Sequence, residues 1–168
     1  MSEVTVNFNL LNDEDEIYNE LLLQSSGLLD SKDRPITNLA NITALIKEAL
    51  PKVSWVGFYL FDGSELYLGP FQGKVACTRI PLGKGVCGTV AERKETIIVE
   101  NVHEFPGHIA CDGGSNSELV IPLLHENELL GVLDLDSYQF AAFNKKDASY
   151  LEKITEKIVD CCFKNKIL

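Results

Sequence analysis

The spacing of apolar and polar positions changes twice along this 168-residue chain. Residues 12–16 are polar and acidic, and Ile17, Leu21 and Leu22 follow at helical spacing before Gly27. This predicts a first helix whose negative N-terminal turn complements the helix dipole and whose end is the glycine. Thr37 is placed to cap a second helix, in which Leu39, Ile42, Leu45, Ile46 and Ala49 share one face and which Pro51 closes. From Val53 the period shortens. Trp55, Val56, Phe58, Tyr59, Leu60 and Phe61 are strand formers, Asp62-Gly63 is a turn signal, and residues 65–68 return as the second arm of a hairpin. Alternation puts Trp55 and Tyr59 on one face and Val56, Phe58 and Leu60 on the other. One face suits a ligand pocket, while the other packs beneath the helices.

Further short strands are predicted at residues 75–80, 96–99, 119–124 and 129–136, the last two joined by the polar stretch 125–128 as an antiparallel hairpin. In the final segment Leu151, Ile154, Ile158, Cys161 and Cys162 continue a helical stripe, and Asn144 with Asp147 has the spacing of a capping box. No repeat, low-complexity tract or linker interrupts the chain. The expectation is an α+β fold, a central antiparallel sheet flanked by helices, with residues 1–168 as one domain that begins and ends in helices.

Composition narrows the function. The chain is 45% hydrophobic, as a folded core requires, and no run reaches the roughly 20 apolar residues of a membrane span. The opening residues lack the basic segment and apolar block of a signal peptide, so a cytoplasmic location is expected. Lys and Arg number 15 against 25 Asp and Glu, a formal charge of -10. That balance disfavours nonspecific attraction to nucleic acid or an anionic membrane. Five cysteines in a cytosolic chain are not naturally a permanent disulfide framework, which leaves metal binding, redox chemistry or simple burial.

Cys161 and Cys162 lie on the helical stripe and read as small core residues. Cys77 falls in a predicted strand, Cys87 in the turn-to-helix segment LGKGVCGTVAE, and Cys111 in a loop rich in Gly, Asp, Asn and Ser. These three are either reactive thiols or buried structural ones. Residues 83–88 match GxGxxG, yet no parallel βαβ unit surrounds them, which argues against a dinucleotide site. Amides at the start of the helix would instead lower the pKa of Cys87. Glu118 begins one strand, and Asp134 and Asp136 project from the same face of the next, opposite Leu133 and Leu135. Two acids in an apolar strand form a polar rim or receive a positive ligand; Asp112 reads as a turn residue. Of the imidazoles, His108 would complete a zinc site with the three cysteines, though their spacing is not that of a zinc knuckle, and His103 and His125 read as surface or loop residues.

The stretches WVGFY, GPFQGKVACTRIPLGKGVCGTVA, HIACDGGSNSELVIPL and GVLDLDS together resemble the free methionine (R)-sulfoxide reductase family, a group of catalytic GAF domains, over nearly the whole chain. The resemblance implies thiol-dependent reduction of the free amino acid's R sulfoxide, protection under oxidative stress, a homodimer, no bound cofactor, and thioredoxin or a similar dithiol as electron donor. It implies Cys111 as nucleophile, Cys77 as resolving thiol and Cys87 as a third redox cysteine, with the order of Cys111 and Cys87 open. It further implies Glu118 beside the sulfoxide, Asp134 and Asp136 at the substrate ammonium, and Trp55 and Tyr59 around its methyl end. The competing readings are a noncatalytic, small-molecule-sensing GAF module and a redox sensor whose disulfide changes shape.

Overall fold

The computed structural model describes residues 7–107 and 113–164. After a single 3-10 turn at Phe8–Leu10, helix α1 runs over Glu14–Leu28 and α2 over Pro35–Ala49. Asp13 caps α1 by accepting from the Asp15 amide, and the helix passes through Gly27 to end one residue later. Helix α2 starts before Thr37. Pro35 occupies its first turn, where a missing N–H costs nothing and a fixed φ favours the helix, so no side-chain cap is formed.

The hairpin β1 (Trp55–Phe61) and β2 (Glu65–Gln72) turns at Asp62, whose Oδ1 accepts from the Ser64 and Glu65 amides at 2.8 and 2.9 Å. β2 outruns its predicted end by four residues, with a bulge at Gly69-Pro70 that accommodates the proline in a strand. Strand β3 is only Arg79–Pro81, so most of the strand expected at residues 75–80, Cys77 included, is loop. Helix α3 (Gly85–Arg93) and strand β4 (Ile97–Val99) follow, then β5 (Ser117–His125), β6 (Glu128–Ser137) and α4 (Lys145–Cys162). The β5–β6 connection is tighter than expected. Only Glu126 and Asn127 lie outside the strands, both at positive φ, as a two-residue type I′ turn demands.

Among the described residues the strands form one antiparallel sheet in the order β3-β2-β1-β6-β5-β4. Alternation along the strands divides the core in two. Val56, Phe58, Leu119, Ile121, Leu133 and Leu135 pack against α1, α2 and α4 on one face. Each such buried side chain contributes roughly 1.5–3 kcal/mol. Trp55, Tyr59, Val120 and Val132 meet Val86, Cys87, Val90 and Ala91 of α3 on the other. The α4 capping box forms as the spacing predicts, Asn144 accepting from the Asp147 amide while Asp147 accepts from the Asn144 amide. Asp147 also accepts from the Tyr18 hydroxyl and pairs with Lys52 at 2.5 Å, tying α1 and α4 to the start of the sheet. At the other end of α4 the fully buried cysteine is Cys162, with Cys161 only partly covered, so the core role belongs chiefly to the former. No helix among the described residues is long and apolar enough to cross a membrane.

Candidate active site

The sheet register assembles the site. Trp55 pairs with Asp136, which pairs with Glu118, so β1, β6 and β5 place these three side chains in one row. Two residues along, Gly57, Asp134 and Val120 form the next row on the same face. Gly57 is required there: a Cβ would stand 2.3 Å from the Trp55 ring and 2.6 Å from the Phe71 Cβ. The space it leaves lets Trp55 lie between Tyr59 and Phe71, with ring centroids at 6.0 and 5.5 Å. The Trp55 indole donates to the Lys74 carbonyl at 2.9 Å and the Tyr59 hydroxyl to the Cys77 carbonyl at 3.1 Å. The aromatic wall thus holds the loop that carries Cys77.

Helix α3 closes the opposite side. The glycines of GxGxxG serve packing: Gly85 enters the helix at φ +62, and a Cβ on Gly88 would stand 2.3 Å from the Pro81 carbonyl oxygen. Close contact with β3 therefore requires glycine, and every strand pairing of the sheet is antiparallel, which is not the setting of a dinucleotide fold. The result is a pocket lined by Trp55, Tyr59, Cys87, Glu118, Asp134 and Asp136, with Lys84 and Ser115 at its wall.

Its electrostatics correct one expectation. Cys87 lies in the first turn of α3, but burial and then the charges of Asp134 and Glu118 push its thiol well above the ordinary range, against any lowering by helix amides. The Cys87 thiol approaches Glu118 Oε1 at 3.9 Å. Burial, followed by Asp134 and Asp136, likewise raises Glu118 well above a normal carboxyl, and burial with Asp136 raises Asp134. Asp134 Oδ1 and Ser115 Oγ are buried without a hydrogen-bond partner among the described residues. Such groups are expensive unless something enters to satisfy them.

Of the residues singled out in the sequence, Trp55, Tyr59, Cys87, Glu118, Asp134 and Asp136 meet in this pocket, and Cys77 lies on the loop beside it, disulfide-bonded. Cys87, Cys161 and Cys162 are not disulfide-bonded. Cys111, Asp112 and His108 lie outside the described residues. His103 is away from the pocket, its ring within 3.0 Å of Asn116 Oδ1, and His125 ends β5. Ser115 and Lys84 were not anticipated. Lys84 had a signal, as the cation beside the cysteine turn; Ser115 had none beyond its place in the loop leading to Glu118.

Residues 34–159 match the GAF domain model. The chain belongs to the GAF domain family, and its antiparallel sheet with flanking helices is the fold of that class. Within that class its likeness is specific. It is 45% identical over 143 residues to the free methionine-R-sulfoxide reductase of Escherichia coli, covering 85% of this chain and 87% of the relative. It is 44% identical over 165 residues to the enzyme of the same description from Saccharomyces cerevisiae, covering 94% and 92%. An X-ray structure of free methionine-R-sulfoxide reductase from Neisseria meningitidis in complex with its substrate superimposes with a TM-score of 0.84 at 42% identity, covering 89% of this chain and 90% of that one.

Proposed function

We propose that this chain, residues 1–168 acting as one GAF domain, reduces free L-methionine (R)-sulfoxide to L-methionine with its own thiols as the immediate two-electron donor. The observation that carries the reading is the meeting of an aromatic wall, a Glu118 carboxyl that burial pushes well above its ordinary range, and the Asp134/Asp136 pair in one pocket beside a cysteine-bearing loop. An amino acid sulfoxide fits each feature. Its methyl end lies against Trp55 and Tyr59, its ammonium against Asp134 and Asp136, and its oxygen near Glu118. The ammonium satisfies Asp134 Oδ1 and offsets the burial and the Asp136 charge that otherwise raise that group.

In this mechanism the Cys111 thiolate attacks the sulfoxide sulfur while Glu118 supplies a proton to the oxygen. The oxygen then passes from the methionine sulfur to the Cys111 sulfur as the transient sulfur–sulfur bond breaks, so that methionine leaves with the electron pair and Cys111 is left as a sulfenic acid. The Cys77 thiol then displaces that oxygen as water, forming a disulfide. Cys77 is disulfide-bonded, which supports a redox role for it as the resolving thiol. The raised Cys87 thiol is a poor attacking group at neutral pH, which favours Cys111 for the first step and disulfide exchange for Cys87. A dithiol of the thioredoxin class returns two electrons. The enzyme works as a cytosolic homodimer without a bound cofactor.

The test uses reduced protein with external reductant removed, mixed with the R and S sulfoxides of free methionine and of a methionine-containing peptide. Methionine is expected only from the free R isomer, in proportion to enzyme. Cys111→Ser should abolish it, and Cys77→Ser should retain the first turnover but lose the disulfide that dithiol reductant reduces. No methionine from any substrate would overturn the proposal in favour of a sensing module. Product surviving in Cys111→Ser but lost in Cys87→Ser would transfer the attacking role to Cys87.

A further inference from the structure

An ammonium ligand accounts for the acids in the pocket but not for a thiol set among them. Cys87 Sγ and one oxygen each from Glu118 and Asp134 lie within 4.8 Å of one another, and all three residues are at least nine-tenths buried. Asp134 Oδ1 lacks a hydrogen-bond partner among the described residues. One soft sulfur from α3 and two hard oxygens from β5 and β6, gathered at the wall of the pocket, are a ligand set for a borderline cation. Magnesium and calcium take oxygen sets and hold several waters, so the thiol speaks against them. Sequence spacing had suggested a different zinc set, His108 with three cysteines; this one uses two carboxylates from adjacent strands and a single cysteine from α3.

We propose that the reduced, substrate-free protein binds one zinc ion through Cys87, Glu118 and Asp134, and that zinc and the substrate ammonium exclude each other at Asp134. Zinc–sulfur and zinc–oxygen bonds of about 2.3 and 2.0 Å require the three ligand atoms to close by only a modest amount from their present separations. On binding, the Cys87 thiol proton and any proton held by the two carboxyl groups pass to solvent, so affinity rises with pH. The anionic ligands, costly together in a buried pocket, then face a divalent charge. The fourth position opens to the pocket and takes water. Metal binding stands independently of the proposed reaction; only the competition with substrate rests on that reading.

Phosphine-reduced protein is titrated with Zn²⁺, and separately with Co²⁺ as a spectroscopic probe. The expectation is one zinc per chain, a near-ultraviolet sulfur-to-cobalt charge-transfer band, and zinc protection of Cys87 from alkylation while Cys161 stays reactive. Cys87→Ser should lose the band, and Glu118→Gln or Asp134→Asn should weaken zinc by more than the about 10–100-fold that changes behind a ligand cost. Free L-methionine (R)-sulfoxide should lower the apparent zinc affinity in proportion to its concentration. Circular dichroism of each variant reports folding, and alkylation protection in the unaltered protein keeps the test decisive if Cys87→Ser does not fold. Zinc affinity that is unchanged in Cys87→Ser but lost in Cys111→Ser or His108→Ala would overturn the assignment, as would full alkylation of Cys87 under saturating zinc. If zinc binds as described but sulfoxide does not compete, the metal site stands and the exclusion claim falls.

Discussion

Asp134 shows most directly how a single residue links stability to recognition. Its carboxyl and that of Glu118 are raised from ordinary values of 3.8 and 4.5 by burial first and by neighbouring acids second. The folded, substrate-free protein therefore holds protons on these groups that the unfolded chain has released. The sign follows: their contribution to stability is fully present below the ordinary carboxyl range and is lost as pH rises through the raised values. Asp134→Asn keeps the shape without the charge, and its melting temperature should decline less than that of the unaltered protein between pH 5 and 8. For a domain of this size each kcal/mol moves the midpoint by about 2–4 °C. Thermal unfolding across that range checks it, and parallel curves would contradict the electrostatic picture. The sequence made the acids of β6 visible, because alternation against Leu133 and Leu135 puts both on one face. It did not make the behaviour of Cys87 visible. Its local signal, a helix start, pointed down, while the neighbours that push it up come from β5 and β6, some thirty and more residues away in the chain.

At the scale of elements, local signals succeeded where the structure is local. The Asn144–Asp147 box needs four consecutive residues, and it forms. The division of β1 into a pocket face and a core face needs only alternation. The segment holding Cys77 is different: it looks like a strand, yet it is a loop held by the Trp55 indole and the Tyr59 hydroxyl, partners from β1 that no local pattern reveals. Gly57 joins these parts, since its missing Cβ makes room for the Trp55 ring. Gly57→Ala should push that ring out of the wall, costing about 1–3 kcal/mol of stability through overpacking. Because Trp55 both lines the pocket and anchors the Cys77 loop, KM for the free sulfoxide should rise about tenfold, equivalent to about 1.4 kcal/mol. Steady-state kinetics on the folded variant read this directly. An unchanged KM would show that the ring's position does not matter to substrate.

For the whole molecule, the division of the sheet into two faces separates holding the fold from holding the ligand. Helices α1, α2 and α4 cover one face with a largely apolar core, and the other face carries Glu118, Asp134 and Asp136 at a pocket wall. The proposed site uses that wall to take both the sulfoxide end and the free amino end of one small molecule. The most direct measurement compares kcat/KM for free L-methionine (R)-sulfoxide and its N-acetyl derivative, in the unaltered enzyme and in the Asp134→Asn, Asp136→Asn double variant. Loss of one partner from a buried charge pair costs about 2–5 kcal/mol, so the free compound should be preferred by at least about 30-fold, and the double variant should lose that preference. Equal turnover of both compounds by the unaltered enzyme would contradict the account.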